Sequence, residues 1–381
     1  MSSPEPAAPR ARLDSIDLLR GVVMVLMALD HVRDIWSNGH IDPMDLAHTT
    51  PSLYVTRWIT HFCAPVFCLL AGTGAHLSRK PVRALSWFLL TRGLWLIVLE
   101  LTVVHVGFFG PQIESFPLIT IWALGCSMMA LGGLVWLPRW ALALVTAIVL
   151  CGHNALDGFH GGGALWKVFH DPGAIVDRPT LHVWIGYPIG PWIAVMSSGY
   201  LLGPVFQFAP HRRRRTLALL GAGAIALFIV LRIINRYGDT NPWTPQADSL
   251  FSLFSFLNVR KYPPSLDYVL ATLGPSLLAL AALDRVRASP NNPFLIFGRV
   301  PMFYYLIHLY FIRVIAGIGS LPRLGLSGLT ASFHRPPPDG YGVGLVGVYI
   351  GWVISIAALY LPCRWFAGVK QRSRNPLLSY L

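Results

Sequence analysis

The chain has 381 residues, of which 54% are hydrophobic and 12% carry a charge. That charged fraction is about half the value of a typical soluble domain, so a soluble enzyme, a disordered chain and a disulfide-rich secreted module are excluded. The net charge is +13, but the basic residues lie in short clusters between apolar segments, so we expect a lipid bilayer as partner and no nucleic acid. The five cysteines lack C-x-x-C spacing and predict no disulfide framework.

Ten apolar segments are long enough to cross a bilayer, and at these lengths only helices satisfy the backbone polar groups in lipid. The predicted spans are 16–36, 53–76, 84–107, 117–137, 139–156, 181–207, 216–235, 266–284, 293–317 and 342–362. The sequence therefore predicts an all-α transmembrane bundle at 15–365, with short tails at 1–14 and 366–381. The Gly-Ala-Gly-Ala run at 221–224 predicts a small-residue surface for close helix packing.

The charges of the loops predict the orientation of these spans. Arginines and lysines are concentrated in the two tails and in every second loop, including four consecutive arginines at 212–215. Basic residues in short loops favour the cytoplasmic side of a membrane. We therefore expect both termini in the cytoplasm.

Ionisable side chains inside the predicted spans are costly in lipid, so each is a candidate for function. At a rise of about 1.5 Å per residue, one carboxylate or imidazole from each of four spans lies roughly 18–24 Å above the predicted cytoplasmic edge. These four groups are Asp30, His61, Glu100 and His308. We expect them to form one polar layer in the outer half of the bundle.

Neighbouring residues on the same helix faces extend this layer. His31 and Asp34 are three positions apart, Asp34 lies one turn above Asp30, and Arg57 lies one turn from His61. The layer supplies the substrate-binding candidates Arg57 and His308. It supplies the catalytic candidates His61, His31, Asp30, Asp34 and Glu100.

Three arginines lie nearer the cytoplasm. Arg20, Arg299 and Arg92 are about 6–12 Å above the predicted cytoplasmic edge. They predict a basic vestibule, because arginine side chains bind phosphate groups with charge-assisted hydrogen bonds. The alternative is that all three side chains extend to lipid headgroups.

The ionisable residues of the outer layer can also have purely structural roles. The ionisable residues at 30–34 can form a polar clamp between helices. His61 and His308 can each be a hydrogen-bonded core histidine, and Glu100 can neutralise a neighbouring arginine or histidine.

Two further groups of residues resemble a metal site and a thioester site, but the sequence argues against both. His153, Asp157 and His160 are residue types that bind metals, but a glycine-rich loop follows them, and we expect no metal. Cys63 is two positions from His61, and residues with that spacing face different sides of a helix. We therefore do not expect Cys63 to form a thioester.

Several blocks resemble a known family. The stretch Ser15-Ile-Asp-Leu-Leu-Arg20-Gly, which opens the first span, is similar to the start of the heparan-α-glucosaminide N-acetyltransferase catalytic-domain family and its bacterial relatives. The resemblance covers about residues 12–365 and is specific in four further blocks. These are Asp30-His31-Val-Arg-Asp34, Thr56-Arg57-Trp-Ile-Thr-His61-Phe-Cys-Ala-Pro65, Leu257-Asn-Val-Arg-Lys261-Tyr-Pro-Pro264 and Phe297-Gly-Arg299-Val-Pro301.

The resemblance implies a bacterial inner (plasma) membrane enzyme that binds acetyl-CoA from the cytoplasmic side. The acceptor is then a sugar amine or hydroxyl of a glycan or glycolipid on the far side. In the lysosomal member the active histidine lies in the first non-cytoplasmic loop, and by location His48 is the nearest equivalent here, followed by His40. The matching block at 257–264 adds Lys261 to the substrate-binding candidates. We expect no metal cofactor. The sequence does not give the oligomeric state, and a homodimer is one alternative.

The chemistry of acyl transfer agrees with the two layers. A base that titrates near neutral pH is needed to deprotonate the acceptor, and imidazole has this property. An adjacent carboxylate, Asp30 or Asp34, can hold the tautomer of that histidine. The lower arginines, Arg20, Arg92 and Arg299, can bind the phosphates of acetyl-CoA, with the pantetheine arm along the bundle axis.

Two other functions compete with this interpretation. A proton-coupled transporter or lipid flippase also uses buried histidine and carboxylate groups. The inverted repeats that many transporters show are not visible in this sequence, which favours the enzyme. A non-catalytic membrane partner protein would not need ionisable groups at a shared depth.

Overall fold

The computed structural model describes residues 13–39, 41–334, 337–373, 375, 378 and 380. Most of the predicted tail at 1–14, as well as His40, lies outside the described residues. The described part contains sixteen α-helices. They are α1 (Asp14–Trp36), α2 (Pro51–Trp58), α3 (Cys63–Leu77), α4 (Val82–Leu99), α5 (His105–Phe109), α6 (Thr120–Leu134), α7 (Arg139–Gly152), α8 (Gly163–Phe169), α9 (Ile189–Leu202), α10 (Pro210–Ile234), α11 (Ser249–Leu257), α12 (Leu266–Leu283), α13 (Pro293–Arg299), α14 (Pro301–Leu324), α15 (Gly328–Ala331) and α16 (Leu345–Arg372).

The predicted all-α transmembrane bundle is confirmed. Eight helical segments within the described residues are long and apolar enough to cross a membrane. Two further predicted spans are helical but are not among these eight. The first corresponds to α1, whose charged residues lower its hydropathy, and the fourth corresponds to α6, which has only 15 residues. A 3₁₀ turn (Ile59–Phe62) joins α2 to α3, and a π turn (Glu100–Val104) joins α4 to α5.

A small sheet is the one non-helical layer in the described residues. Its strands are β1 (Ser115–Leu118), β2 (Gly173–Arg178) and β3 (Leu181–Ile185), in the order β1-β3-β2. β1 pairs parallel with β3, and β2 pairs antiparallel with β3. The sixth predicted span therefore begins as a strand and becomes helical only at α9.

Other predicted boundaries also differ from the structure. The ninth predicted span, 293–317, is interrupted at Val300, because Pro301 disfavours helical backbone in the residue before it. The predicted loop at 236–265 contains α11, and α14 extends into the predicted loop at 318–341. At the other end of the chain, α16 continues seven residues past 365, into the predicted C-terminal tail.

Two glycines fix α1 against α13. A Cβ atom at Gly21 would lie 1.8 Å from the carbonyl oxygen of Phe294, and a Cβ atom at Gly298 would lie 1.8 Å from that of Asp17. Only glycine permits backbones to approach so closely. Arg20 and Arg299 are next to these glycines in the chain. The crossing of α1 and α13 therefore brings Arg20 and Arg299 close to each other.

The predicted small-residue surface is confirmed at one of its glycines. A Cβ atom at Gly221 would lie 2.8 Å from the carbonyl oxygen of Gly274, which places α10 directly against α12. A Cβ atom at Gly223 would have nothing within 4 Å, so Gly223 takes no part in this contact.

Two buried arginines bind backbone carbonyl oxygens of neighbouring segments. Arg232 is 1% exposed and donates hydrogen bonds to the carbonyl oxygens of Phe256 and Ser255 at the end of α11. Arg313, also buried, donates to the carbonyl oxygens of Gly107 and Ser332. A guanidinium group has five donors in a planar fork, so it can satisfy several carbonyls that a helix end leaves unpaired.

Candidate functional site

A cavity of about 400 Å³ lies inside the bundle, with walls from α1, α3, α4, α6, α9, α13, α14 and α16. Along α3 its lining extends from Ala64 to Ser78, about 21 Å at the rise of a helix. The walls are mostly apolar and include Met24, Met27 and Leu96. A long apolar cavity of this volume suits an extended ligand with a charged end.

Basic side chains line one end of this cavity: Arg20, Arg92, Arg299 and Lys370. Arg20 donates a hydrogen bond to the carbonyl oxygen of Gly298 at 3.1 Å. The three predicted vestibule arginines therefore converge on one cavity. Their role in binding a ligand remains a prediction.

Two tyrosines lie at the other end of the cavity. The ring of Tyr305 lies 5.5 Å from that of His308 and 6.3 Å from that of His31, measured between centroids. The hydroxyl of Tyr187 lies 3.3 Å from that of Tyr262. Tyr187 and Tyr305 therefore separate the apolar cavity from polar residues beyond it.

A pair of histidines lies behind Tyr305. Nδ1 of His31 is 2.6 Å from Nε2 of His308, and Nδ1 of His308 is 2.6 Å from the carbonyl oxygen of Tyr305. Because a carbonyl oxygen only accepts, Nδ1 of His308 carries its proton and Nε2 accepts one from His31. No hydrogen bond within the described part of the chain uses Nε2 of His31. A neutral His31 therefore has an available lone pair at Nε2, as a general base requires.

Asp30 is the centre of an ion-pair network. Its carboxylate accepts hydrogen bonds from Arg57 at 2.9 Å, from Arg33 at 2.7 Å and from the hydroxyl of Thr60 at 2.9 Å. Asp34 also accepts from Arg33, at 2.6 Å, and its side chain is 51% exposed. The network therefore reaches from the interior of the bundle to its surface.

This network differs from the expectation that Asp30 or Asp34 would orient a histidine. Asp30 and His31 are about 100° apart around α1, so Asp30 faces Arg57 while His31 faces α14. The orientation of His31 is set by His308 instead.

His61 and Lys261 lie near this network. His61 is 3% exposed, and its Nδ1 has no partner among the described residues. Tyr268 packs against the ring and donates a hydrogen bond to the carbonyl oxygen of His61 at 2.8 Å. Lys261 is 8% exposed, and its ammonium lies 5.2 Å from the centroid of the Tyr262 ring. Both residues are therefore buried, and within the described residues neither makes a hydrogen bond to the histidine pair.

Glu100 has a different environment from the one predicted. Its Oε2 accepts hydrogen bonds from the backbone N–H groups of Ile121 and Trp122, at 3.0 and 3.1 Å. The carboxylate therefore caps the N-terminus of α6, a position that favours negative charge. It does not neutralise His105, whose Nε2 is 2.6 Å from the carbonyl oxygen of Gln112.

His48 lies in the exposed loop between α1 and α2. Its side chain is 71% exposed, and its Nδ1 is 2.6 Å from Oδ2 of Asp45. This hydrogen bond lowers the pKa of Asp45. Within the described residues the pair makes no hydrogen bond to the Asp30 network or to the histidine pair.

Sequence reasoning missed several residues of the site. Tyr187 and Tyr305 are two of thirteen tyrosines in an aromatic-rich chain, and no spacing distinguishes them. Lys370 was expected in a cytoplasmic tail rather than in a cavity wall. Thr60 could have been found, because it lies three positions from Arg57 on the same helical face.

Comparison of the sequence with models of protein families identifies a family. The sequence model of the family described as "heparan-alpha-glucosaminide N-acetyltransferase, catalytic" matches residues 12–237, more than half of the chain. No curated protein matches the sequence of this chain. The matched region contains Arg20, Asp30, His31 and Arg57 and ends before Lys261.

Proposed function

The chain belongs to the heparan-α-glucosaminide N-acetyltransferase catalytic family, and on that premise we propose that it transfers an acetyl group across a membrane. The donor is acetyl-CoA bound from the cytoplasmic side. The acceptor is a sugar amine or hydroxyl on the opposite side. One observation carries the proposal: the cavity joins a cluster of basic side chains to the tyrosine that packs against the histidine pair.

The donor half of the proposal rests on the two ends of the cavity. The phosphates of coenzyme A need cations with several donors, and Arg20, Arg92 and Arg299 line one end. The apolar walls suit the largely uncharged pantetheine arm. An extended arm then carries the thioester toward Tyr305, beside His31 and His308.

The transfer step follows from the free nitrogen of His31. Nε2 takes the proton of the acceptor amine or hydroxyl while the acceptor attacks the thioester carbonyl carbon. The C–S bond breaks, the proton passes to the departing sulfur, and free coenzyme A leaves with an acetylated acceptor. His308 holds His31 in the tautomer that this step needs.

The acceptor half of the proposal rests on the Asp30 network. Asp34 is half-exposed, Arg57 is 13% exposed and pairs with Asp30, and Lys261 is buried. Carboxylates and cations at one surface can hydrogen-bond the hydroxyl groups of a sugar. This surface is separated from the cavity by Tyr187 and Tyr305, so donor and acceptor approach His31 from different directions.

The His48–Asp45 pair supports a second candidate for the base within the same function. It has the arrangement of a histidine oriented by a carboxylate, and it lies in the loop where the lysosomal family member has its active histidine. His31 is favoured over His48 because His31 and its partner His308 lie behind the tyrosine at the end of the cavity, and because Nε2 of His31 is the available nitrogen of that pair.

The donor site can be tested by ligand-induced stabilisation of the full-length protein in detergent. Acetyl-CoA should raise the unfolding temperature, and dephospho-CoA should do so less, because one phosphate contact is missing. Arg299→Gln should weaken acetyl-CoA binding about 10-fold or more, the value of a charge-assisted hydrogen bond.

The matched control is Arg212→Gln. Arg212 is an exposed arginine whose guanidinium lies 4.3 Å from the centroid of the Phe208 ring, and it does not line the cavity. Its substitution should leave acetyl-CoA binding unchanged. If neither coenzyme stabilises the protein, the donor site is refuted and the transporter alternative is favoured.

A further inference from the structure

A cluster of metal-binding residue types lies at the end of α7, away from the cavity. It consists of His153, Asp157 and His170, and one ligand atom from each lies within 4.8 Å of the others. Nε2 of His170 is 2.9 Å from Oδ1 of Asp157, and the rings of His153 and His170 are 5.6 Å apart. Two imidazoles and a carboxylate thus point at a common space.

The cluster is buried and incompletely paired. The side chains of His170 and Asp157 are 7% and 8% exposed, and His153 is 6% exposed. Within the described residues, neither ring nitrogen of His153 has a hydrogen-bond partner. A buried imidazole with both nitrogens unpaired is unusual, because buried polar groups are nearly always satisfied.

Supporting contacts hold the carboxylate in place. Asn154 donates a hydrogen bond from Nδ2 to Oδ2 of Asp157 at 2.7 Å, while its own Oδ1 accepts from the backbone N–H of Leu266 at 2.9 Å. Such contacts fix the orientation of a ligand before the ion arrives.

We propose that His153, Asp157 and His170 bind a divalent transition-metal ion of the zinc class. Two imidazoles and one carboxylate are a common donor set for Zn²⁺ with a fourth position left for water. At the tetrahedral angle, bonds of about 2.0–2.2 Å place two ligand atoms about 3.3–3.6 Å apart. Ligand atoms that now lie within 4.8 Å must therefore close by at most about 1.5 Å, a distance that side-chain rotation can supply. An ion there gives His153 the partner that it lacks.

The ion would join two segments that already meet through the His170–Asp157 hydrogen bond. His153 and Asp157 belong to the turn that follows α7, whereas His170 ends α8, just before β2. The strands that follow lead to Tyr187 at the end of the cavity. The site therefore fixes the sheet against the helical bundle, a structural role that does not depend on the proposed acetyl transfer.

The sequence analysis expected no metal here, and it considered His160 rather than His170 beside His153 and Asp157. His160 is exposed and pairs with Asp171 at 3.0 Å. His170 replaces it because α8 turns the chain back toward α7.

The test uses the full-length protein, purified without a polyhistidine tag, stripped with a chelator and dialysed against Zn²⁺. Bound zinc per chain is measured by mass spectrometry, and Co²⁺ substitution reports the ligands through its visible absorption. The native chain should bind about one ion, and His153→Ala and Asp157→Asn should each weaken binding at least about 10-fold.

His160→Ala is the matched control and should bind zinc like the native chain. A chelator should lower the unfolding temperature of the native chain and of His160→Ala, but not that of His153→Ala. Native protein that binds no zinc, or equal zinc content in all variants, would overturn the proposal. Elution of each variant as a single folded species in size-exclusion chromatography separates loss of the ion from loss of the fold.

Discussion

At the scale of single residues, Asp30 and His31 take part in two kinds of contact, one within a helix and one between helices that are distant in the chain. The Asp30–Arg33 contact spans three positions of one helix, and such spacings can be read from a sequence. Arg57 is 27 positions from Asp30, and His308 is 277 positions from His31. Contacts of this kind depend on how distant helices pack. The outward-facing loop pair His48–Asp45, in contrast, follows from local spacing.

The Asp30–Arg57 pair gives a prediction about stability. Asp30→Asn and Arg57→Gln should each lower the unfolding temperature markedly, because breaking one partner of a buried ion pair costs about 3–5 kcal/mol. The double variant should lose less than the sum of the single losses, since it leaves no charge of the pair unmatched. Thermal unfolding of all four proteins in one detergent measures this coupling. Strictly additive losses would contradict a direct interaction.

At the scale of elements, the sequence predicted the helical bundle well and its irregularities poorly. Runs of apolar residues of bilayer length identify spans directly. The sheet was missed because its strands have only four to six residues and because β1 pairs with β3 across more than sixty positions of the chain. The break at Val300 was readable, because the residue before a proline avoids helical backbone.

The crossing of α1 and α13 gives a prediction about packing. Gly298→Ala should destabilise the protein by about 1–3 kcal/mol, because its new methyl group meets the carbonyl oxygen of Asp17. It should also weaken acetyl-CoA binding, since Arg20 and Arg299 are positioned by this crossing. Unfolding temperature and acetyl-CoA titration measure the two effects.

Gly223→Ala is the control for this substitution. Gly223 also lies in an apolar helix, but no atom lies near its added methyl group, and alanine favours helices. It should leave acetyl-CoA binding unchanged and stability equal or higher. Equal losses for the two variants would show that close packing at Gly298 is not the cause.

At the scale of the whole molecule, the family and the cavity both agree with one proposed path for the acetyl donor through the bundle. Basic side chains mark one end of the cavity, and a histidine pair lies behind the tyrosine at the other. The sequence predicted these two layers from depth alone, but it placed Glu100 in the polar layer, whereas the structure uses it to cap α6. The path itself could not be predicted, because a cavity is a property of packed helices and not of any one segment.

The central claim is that His31 is the base that serves this cavity. Acetyl transfer from acetyl-CoA to an amino-sugar acceptor should be measured for His31→Ala and His48→Ala in otherwise identical membranes. We predict that His31→Ala loses about 10²–10⁴-fold in turnover while still being stabilised by acetyl-CoA, and that His48→Ala stays near the native rate. Full turnover in His31→Ala together with loss of activity in His48→Ala would contradict the claim.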